Sequence, residues 1–338
     1  MRIVTISFTP LNAGGGVPKF NRDLHSAFAV DHEVIHYSWW DFPWYIEAEN
    51  QPEWEKARTL NHYLLSSGKI RHDDVVIADG FWADGLQHLK YAVSHSHGIW
   101  SHLTKDDVDA GKQPENPFHH AAQVAFRQRW LGQKKHMTAV SEFIYKQMEL
   151  QWGFKADCVI NNGVDTKFFT PGKKSFPRKS PIIVHGVNDR SNVNKGWDHI
   201  EKLISGSGCE VFSFDEMIEK VGSQNDIAFA LAEADLVVHP SGYEGNSMFV
   251  AEALSCGLPF VGYDVGAMYS PESNQCGIVL PRSERSPEST LAAVKKIIND
   301  KEMMSASAEC ARRFAENELS LTNFKYKWRE YVRDVTTK

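Results

Sequence analysis

The sequence predicts an α/β protein of two successive domains, each a parallel sheet with crossover helices. Three observations point there. Short β-rich runs alternate with amphipathic stretches along the whole chain. A Gly-, Pro- and Lys/Arg-rich stretch, Asn161–Pro181, interrupts that alternation near the middle. The chain is also 338 residues long, more than one ordinary hydrophobic core organises.

In order, strands are expected at Arg2–Phe8, Glu33–Ser38, Asp74–Ala78, Ala92–His97, Met137–Ala139 and Asp157–Ile160. A second series is expected at Pro181–Val187, Glu210–Phe214, Leu236–His239, Phe260–Tyr263 and Gly277–Leu280. Helices between strands favour parallel pairing, because a parallel neighbour needs a long crossover. Ligands of such sheets sit at the carboxyl ends of the strands. Between Trp197 and Asp235 only one strand and a helix from Asp226 to Ala234 are expected. The segment Leu291–Val335 reads as helical, with Phe314, Leu319, Phe324, Trp328 and Tyr331 available for packing.

Composition is that of an ordinary globular chain, 42% apolar and 24% charged. No run of 18 apolar residues reads as a membrane span. The opening "MRIVTISF" reads as a strand and lacks the shape of a signal peptide. Five scattered cysteines (158, 209, 256, 276 and 310) suit reduced thiols and a cytoplasmic location, with no disulfide framework or zinc pattern. The net charge of −6 is spread evenly, with 16 basic and 19 acidic residues in positions 1–160. A global basic field for nucleic acid is therefore missing. The local run Arg127–Lys135, "RQRWLGQKK", fits a solvated helix face more simply than a binding surface.

The stretch Glu244-Gly-Asn-Ser-Met-Phe-Val-Ala-Glu252 carries the most chemistry. The strand "ADLVVHPS" precedes it, and a helix, a Gly-Leu-Pro stop and a new strand follow. Glu244 thus falls in the loop before a helix N-terminus, where outward amides and the helix dipole hold anions. The amides of Asn246, Ser247 and Met248 suit a phosphate, and Glu252, two turns on, suits ribose hydroxyls. Two glutamates eight positions apart also arise by chance on a solvated helix face. The strand-loop-helix-strand frame around this pair sets it apart.

This pattern resembles the E-x7-E sugar-nucleotide signature of the family 4 retaining glycosyltransferases. The resemblance implies the GT-B fold: two Rossmann-like domains with parallel sheets facing an interdomain cleft. It places an acceptor-side domain at 1–162 and a shortened nucleotide-sugar donor domain at 163–315. It also sends a helix from 316–338 back to the first domain. The implied reaction moves a sugar from a nucleoside diphosphate donor to an acceptor hydroxyl, without metal or cofactor. In this family the leaving phosphate takes the acceptor proton, so no protein base is implied.

Other motifs extend the resemblance. In "NAGGGVPKFNRDLHSAF" the glycines allow close backbone approach, and Val17, Phe20, Leu24 and Phe28 share one helical face. Gly15 and Gly16 match the loop that lies against the donor diphosphate. The loop is not a NAD-type G-x-G-x-x-G. His97, ending a strand before Gly98, matches a residue that approaches the transferred sugar, although a lone histidine is more often structural. Ser141 reads as a helix cap. "VINNGVDTKFFTP" is similar to the family hinge, with a role in orienting the second domain. In "IIVHGVNDRSNVNKGW" Gly186 and Lys195 match the family's glycine and lysine. The family arginine is displaced, and Arg190 is the nearest guanidinium. The resemblance gives Lys195 and Arg190 the diphosphate, Glu244 the hydroxyls of the transferred sugar and Glu252 the ribose. Cations there offset charge that grows as the glycosidic bond breaks.

Four tryptophans fall between Trp39 and Trp54. Core packing is the commoner use of such a cluster, and an acceptor pocket built by Trp39, Trp40 and Trp44 is the functional alternative. The base-contacting region is short, so UDP, GDP and ADP donors all fit. The acceptor stays open among a glycan, a lipid-linked sugar, a small molecule, a protein and a modified nucleic-acid base. Two other readings share the fold: a nucleotide-sugar epimerase, and a nucleotide-sugar-binding protein without catalysis.

Overall fold

The computed structural model describes residues 1–42, 51–98, 125–126, 130, 133, 135–153, 155–172, 180–187, 189–221 and 227–337. They form two compact units, Met1–Ile160 with Phe324–Lys338, and Asn161–Asn323. Trp44 and most of the 127–135 run lie outside the described residues.

The first unit begins with β1 (Arg2–Ser7), α1 (Gly16–Phe28), β2 (Glu33–Ser38), α2 (Glu53–Ser66), β3 (Val75–Asp79) and β4 (Tyr91–Ser96). β5 (His136–Ala139), α3 (Glu142–Trp152) and β6 (Cys158–Val159) follow. All neighbours pair in parallel in the order β2-β1-β3-β4-β5-β6, with Ile3 opposite Val34 on one side and Val75 on the other. Ile3, Val4 and Ile6 are fully buried, as expected of a parallel strand covered on both faces. Phe20, Leu24 and Phe28 of α1 pack inward at helical spacing. Ser141 caps α3, its Oγ accepting from the Ile144 amide at 3.2 Å.

Trp39 follows the core-packing reading and rules out the acceptor-pocket alternative at this position. It is 2% exposed and belongs to the core, 6.0 Å from the Lys56 ammonium, so it cannot face an acceptor. Its neighbour Trp40 is 49% exposed and meets Phe8 edge-on at 5.9 Å.

The second unit contains β7 (Ile182–His185), α4 (Trp197–Gly206), β8 (Glu210–Ser213), α5 (Phe214–Val221), α6 (Ile227–Glu233) and β9 (Leu236–His239). It continues with α7 (Met248–Ser255), β10 (Phe260–Tyr263), β11 (Gly277–Leu280), α8 (Pro287–Ile298) and α9 (Lys301–Glu318). Its sheet is parallel throughout in the order β11-β10-β9-β7-β8. Alternate strand residues feed two cores. Val184, Val237 and Phe260 meet residues of α6, α7 and α9, whereas Ile183, Val238 and Val261 meet α4 and α8.

Helix α5 was not expected, and Phe214 belongs to it instead of ending β8. The local cause is a reciprocal cap. Ser213 Oγ accepts from the Glu216 amide at 3.2 Å, and the Glu216 carboxylate accepts from the Ser213 amide at 2.7 Å. Asp226 lies outside the described residues, and the helix expected from it runs over Ile227–Glu233.

The last helix, α10 (Leu321–Thr337), belongs to the first unit from Phe324 onward. Phe324, Trp328, Val332 and Val335 form its buried stripe. Trp328 meets His95 at 5.2 Å and Phe20 at 5.9 Å between ring centroids. Arg329 grips both oxygens of Asp31 at 2.8 and 2.9 Å, and Tyr331 Oη donates to Asp157 at 2.6 Å. Among the described residues no disulfide joins the cysteines.

Candidate functional site

In the second unit the loops after β7 and β9 come together, because these strands are neighbours in the sheet. Their carboxyl ends mark the point where the strand order reverses, which is where open α/β sheets bind ligands. Asn194 carries the join: its carbonyl accepts from the Gly242 amide at 2.9 Å and its Nδ2 donates to the Tyr243 carbonyl at 2.9 Å. Arg285 clamps both loops, donating from Nε to the Pro240 carbonyl at 2.9 Å and from Nη2 to the Val193 carbonyl at 3.0 Å. Gly196 is required at this crossing. Its φ is +74°, and a Cβ there would meet Arg285 Nη2 at 2.8 Å.

The joined loops present Lys195 and Glu244 to each other, Nζ to Oε1, at 2.5 Å. His239 Nε2 stands 3.5 Å from the same oxygen. Burial pushes the Glu244 carboxyl up, but His239 and Lys195 outweigh it and hold it at about 2. Glu244 is therefore a carboxylate at all physiological pH values, fixed between two nitrogens.

Three residues beyond Glu244, Ser247 caps α7, its Oγ accepting from the Val250 amide at 3.4 Å. The following Met248 and Phe249 amides have no acceptor within the helix, as at any helix start. Asn246 turns its Nδ2 to Asn161 Oδ1 at 3.1 Å. Gly186, after β7, packs on Phe249, whose ring a Cβ would meet at 2.7 Å. Glu252 is half-buried on α7. Arg190 places its guanidinium 4.0 Å over the Trp197 ring, a cation–π contact.

In the first unit Gly15 has φ +103° at the start of α1, and a Cβ there would meet nothing within 4 Å. Gly16 is the first residue of that helix. His97 directly follows β4, its Nε2 3.6 Å from Asp79 Oδ1 at the end of β3. Its ring meets Phe20 and His95 edge-on at 4.5 and 4.6 Å.

The structure thus joins Lys195 and Glu244 directly. Sequence reasoning did not identify His239, Asn194 and Arg285. His239 was legible as the polar end of an apolar strand. Arg285 lies 45 and 92 positions from the two carbonyls it holds and has no local motif. Among the described residues, no group of three or more His, Cys, Asp or Glu side chains is placed to hold a metal.

Residues 192–300 match the family model described as "Glycosyl transferases group 1". The curated lipopolysaccharide glucosyltransferase WaaG of Escherichia coli is 29% identical over 119 residues, which is 31% of this chain and 30% of that one. The match therefore spans under a third of the curated relative. Among solved structures, sucrose-phosphate synthase from Thermosynechococcus elongatus superposes with a TM-score of 0.78 at 14% identity, covering 99% of both chains. HepE of Anabaena, solved in complex with UDP-glucose, superposes with a TM-score of 0.65 at 17% identity, covering 99% of this chain and 100% of that one. The chain therefore has the two-domain α/β GT-B fold with parallel sheets.

Proposed function

We propose that the protein is a retaining glycosyltransferase that moves a sugar from a nucleoside diphosphate donor to an acceptor hydroxyl. The observation that carries this reading is the Lys195–Glu244 contact beside the capped start of α7. Among the relatives, HepE was solved with UDP-glucose, and WaaG is described as a glucosyltransferase. The diphosphate lies against Lys195 and the first amides of α7, and Glu252 takes the ribose. Glu244 fixes the ammonium and accepts from hydroxyls of the transferred sugar. As the bond from the anomeric carbon to phosphate oxygen breaks, Lys195 offsets the charge that grows on the leaving oxygen. That oxygen takes the acceptor proton as the new C–O bond forms. No metal is needed. Thermal shift with UDP-, GDP- and ADP-sugars, followed by mass spectrometry of products, tests the reading. No stabilisation by any of these donors would overturn it.

Arg190 favours a second reading in one respect, since its guanidinium is already engaged with Trp197. That reading is a nucleotide-sugar-binding protein without transfer. Calorimetric binding with no hydrolysis and no transfer to any acceptor would support it.

A further inference from the structure

The first unit contains a cavity of ≈ 270 Å³ at the carboxyl ends of β1, β3 and β4. Phe8, Val17, Phe81, Trp82, Phe126 and Met137 make most of its wall. Its polar lining includes Thr9, Glu53, Asp79 and His97. Ser94 and Ser96 also line it, but their hydroxyls donate to the Gly80 and Gly98 carbonyls at 2.8 and 3.2 Å. Two buried atoms, Thr9 Oγ1 and His97 Nε2, have no hydrogen-bond partner among the described residues. Buried polar atoms are nearly always paired, so two orphans lining one cavity point to an occupant.

The chemistry of the lining narrows that occupant. No described lining residue is a lysine or arginine, so an anionic group would sit beside two carboxyls without a counter-charge. Burial, helped by the charge on Glu53, raises Asp79 to about 7, and burial lowers His97 to about 3. Both groups therefore tend towards their uncharged forms, which suits an uncharged partner better than an ammonium. A free hexose carries hydroxyls all round its ring, and most of them would face apolar side chains unpaired.

We propose that this cavity holds an uncharged alcohol with a ring-sized apolar body, its hydroxyl bonded by His97 Nε2 and Thr9 Oγ1. That this alcohol is the acceptor rests on the glycosyl-transfer reading; that the cavity binds it does not. An alcohol supplies what both orphan atoms lack, since its O–H donates to the imidazole nitrogen and its oxygen accepts from the threonine.

Benzyl alcohol, benzoate, benzylamine and methyl glucoside probe the cavity by calorimetry or saturation-transfer NMR on the full chain. Benzyl alcohol should bind at least 10-fold more tightly than each of the other three. Val17→Trp, which fills the cavity, and Thr9→Val, which removes one orphan, should each weaken it at least 5-fold. UDP binding, measured in parallel, reports on the second unit and should be unchanged in both variants. Binding of benzoate, benzylamine or the glucoside as tight as that of benzyl alcohol would overturn the proposal. So would unweakened binding in a variant that still binds UDP. Absence of binding by UDP, GDP and ADP alike in the wild type would instead sink the transferase reading and leave the alcohol site standing.

Discussion

Asn162 Nδ2 donates to the main-chain carbonyl of Asn246 at 3.0 Å, joining positions 84 residues apart. Asn246 returns a bond from its own Nδ2 to Asn161. The asparagine pair thereby supports the loop that carries Glu244. Asn162→Ala should cost about 1–2 kcal/mol of stability, since it leaves a buried carbonyl without its donor. It should also weaken nucleotide binding several-fold. Urea unfolding with calorimetry on UDP checks both, and an unchanged UDP affinity would show that the loop keeps its place without the bond.

Lys195 and Glu244 should act as a unit. Lys195→Ala leaves a buried carboxylate with only His239 beside it, and should cost about 1–3 kcal/mol of stability. Transfer should fall by roughly 100-fold or more, the scale seen when one electrostatic stabiliser is removed. In a double-mutant cycle with Glu244→Ala the two losses should not add. Additive losses in both stability and rate would show that the contact is not coupled to the chemistry.

Asp79 makes a pH signature. It keeps its proton up to about pH 7 in the fold, whereas the ordinary value is 3.8. Between those values the folded state binds more protons than the unfolded one, so this contribution to stability falls as pH rises. The gap of about three units sets an upper bound of roughly 4 kcal/mol. Asp79→Asn should therefore gain about 1–3 kcal/mol on the wild type at pH 8 and almost nothing at pH 4. His97 works with the opposite sign. Its value of about 3 lies below the ordinary 6.5, so its contribution is complete above 6.5 and disappears as pH falls towards 3. Urea unfolding at both pH values measures the difference, and the same gap at pH 4 and pH 8 would refute the assignment to Asp79.

Trp39 and Trp40 are neighbours with different fates. Trp39→Ala should cost about 3–5 kcal/mol as a core truncation, and Trp40→Ala at most about 1 kcal/mol. Denaturant midpoints of the two variants decide this, and equal midpoints would contradict the burial difference.

The architecture was legible because its signals are local and periodic. Each expected strand is present, and central ones such as β1, β7 and β9 are buried on both faces and read as apolar runs. Helix α5 was legible too, in Ser213-x-x-Glu216, but the preceding "EVFS" masked it by running straight into the cap. Of the site, Lys195 and Glu244 announced themselves through loop motifs after strands. Arg285 did not, because a clamp on carbonyls leaves no pattern in neighbouring residues. The choice between core and pocket stayed open for Trp39, because aromatic composition records what a segment contains and not which side faces inward.

The closing stretch of the chain has a consequence for synthesis. Trp328 and Phe324 finish a cluster of rings begun by Phe20, some three hundred positions earlier, and joined by His95. A ribosome that has made residues 1–160 has produced a sheet still missing its final aromatic cover. The unit that holds β1 therefore matures only after α10 is made, and a fragment that stops before Phe324 should aggregate or open around Phe20 and His95 although the residues it lacks are remote in sequence.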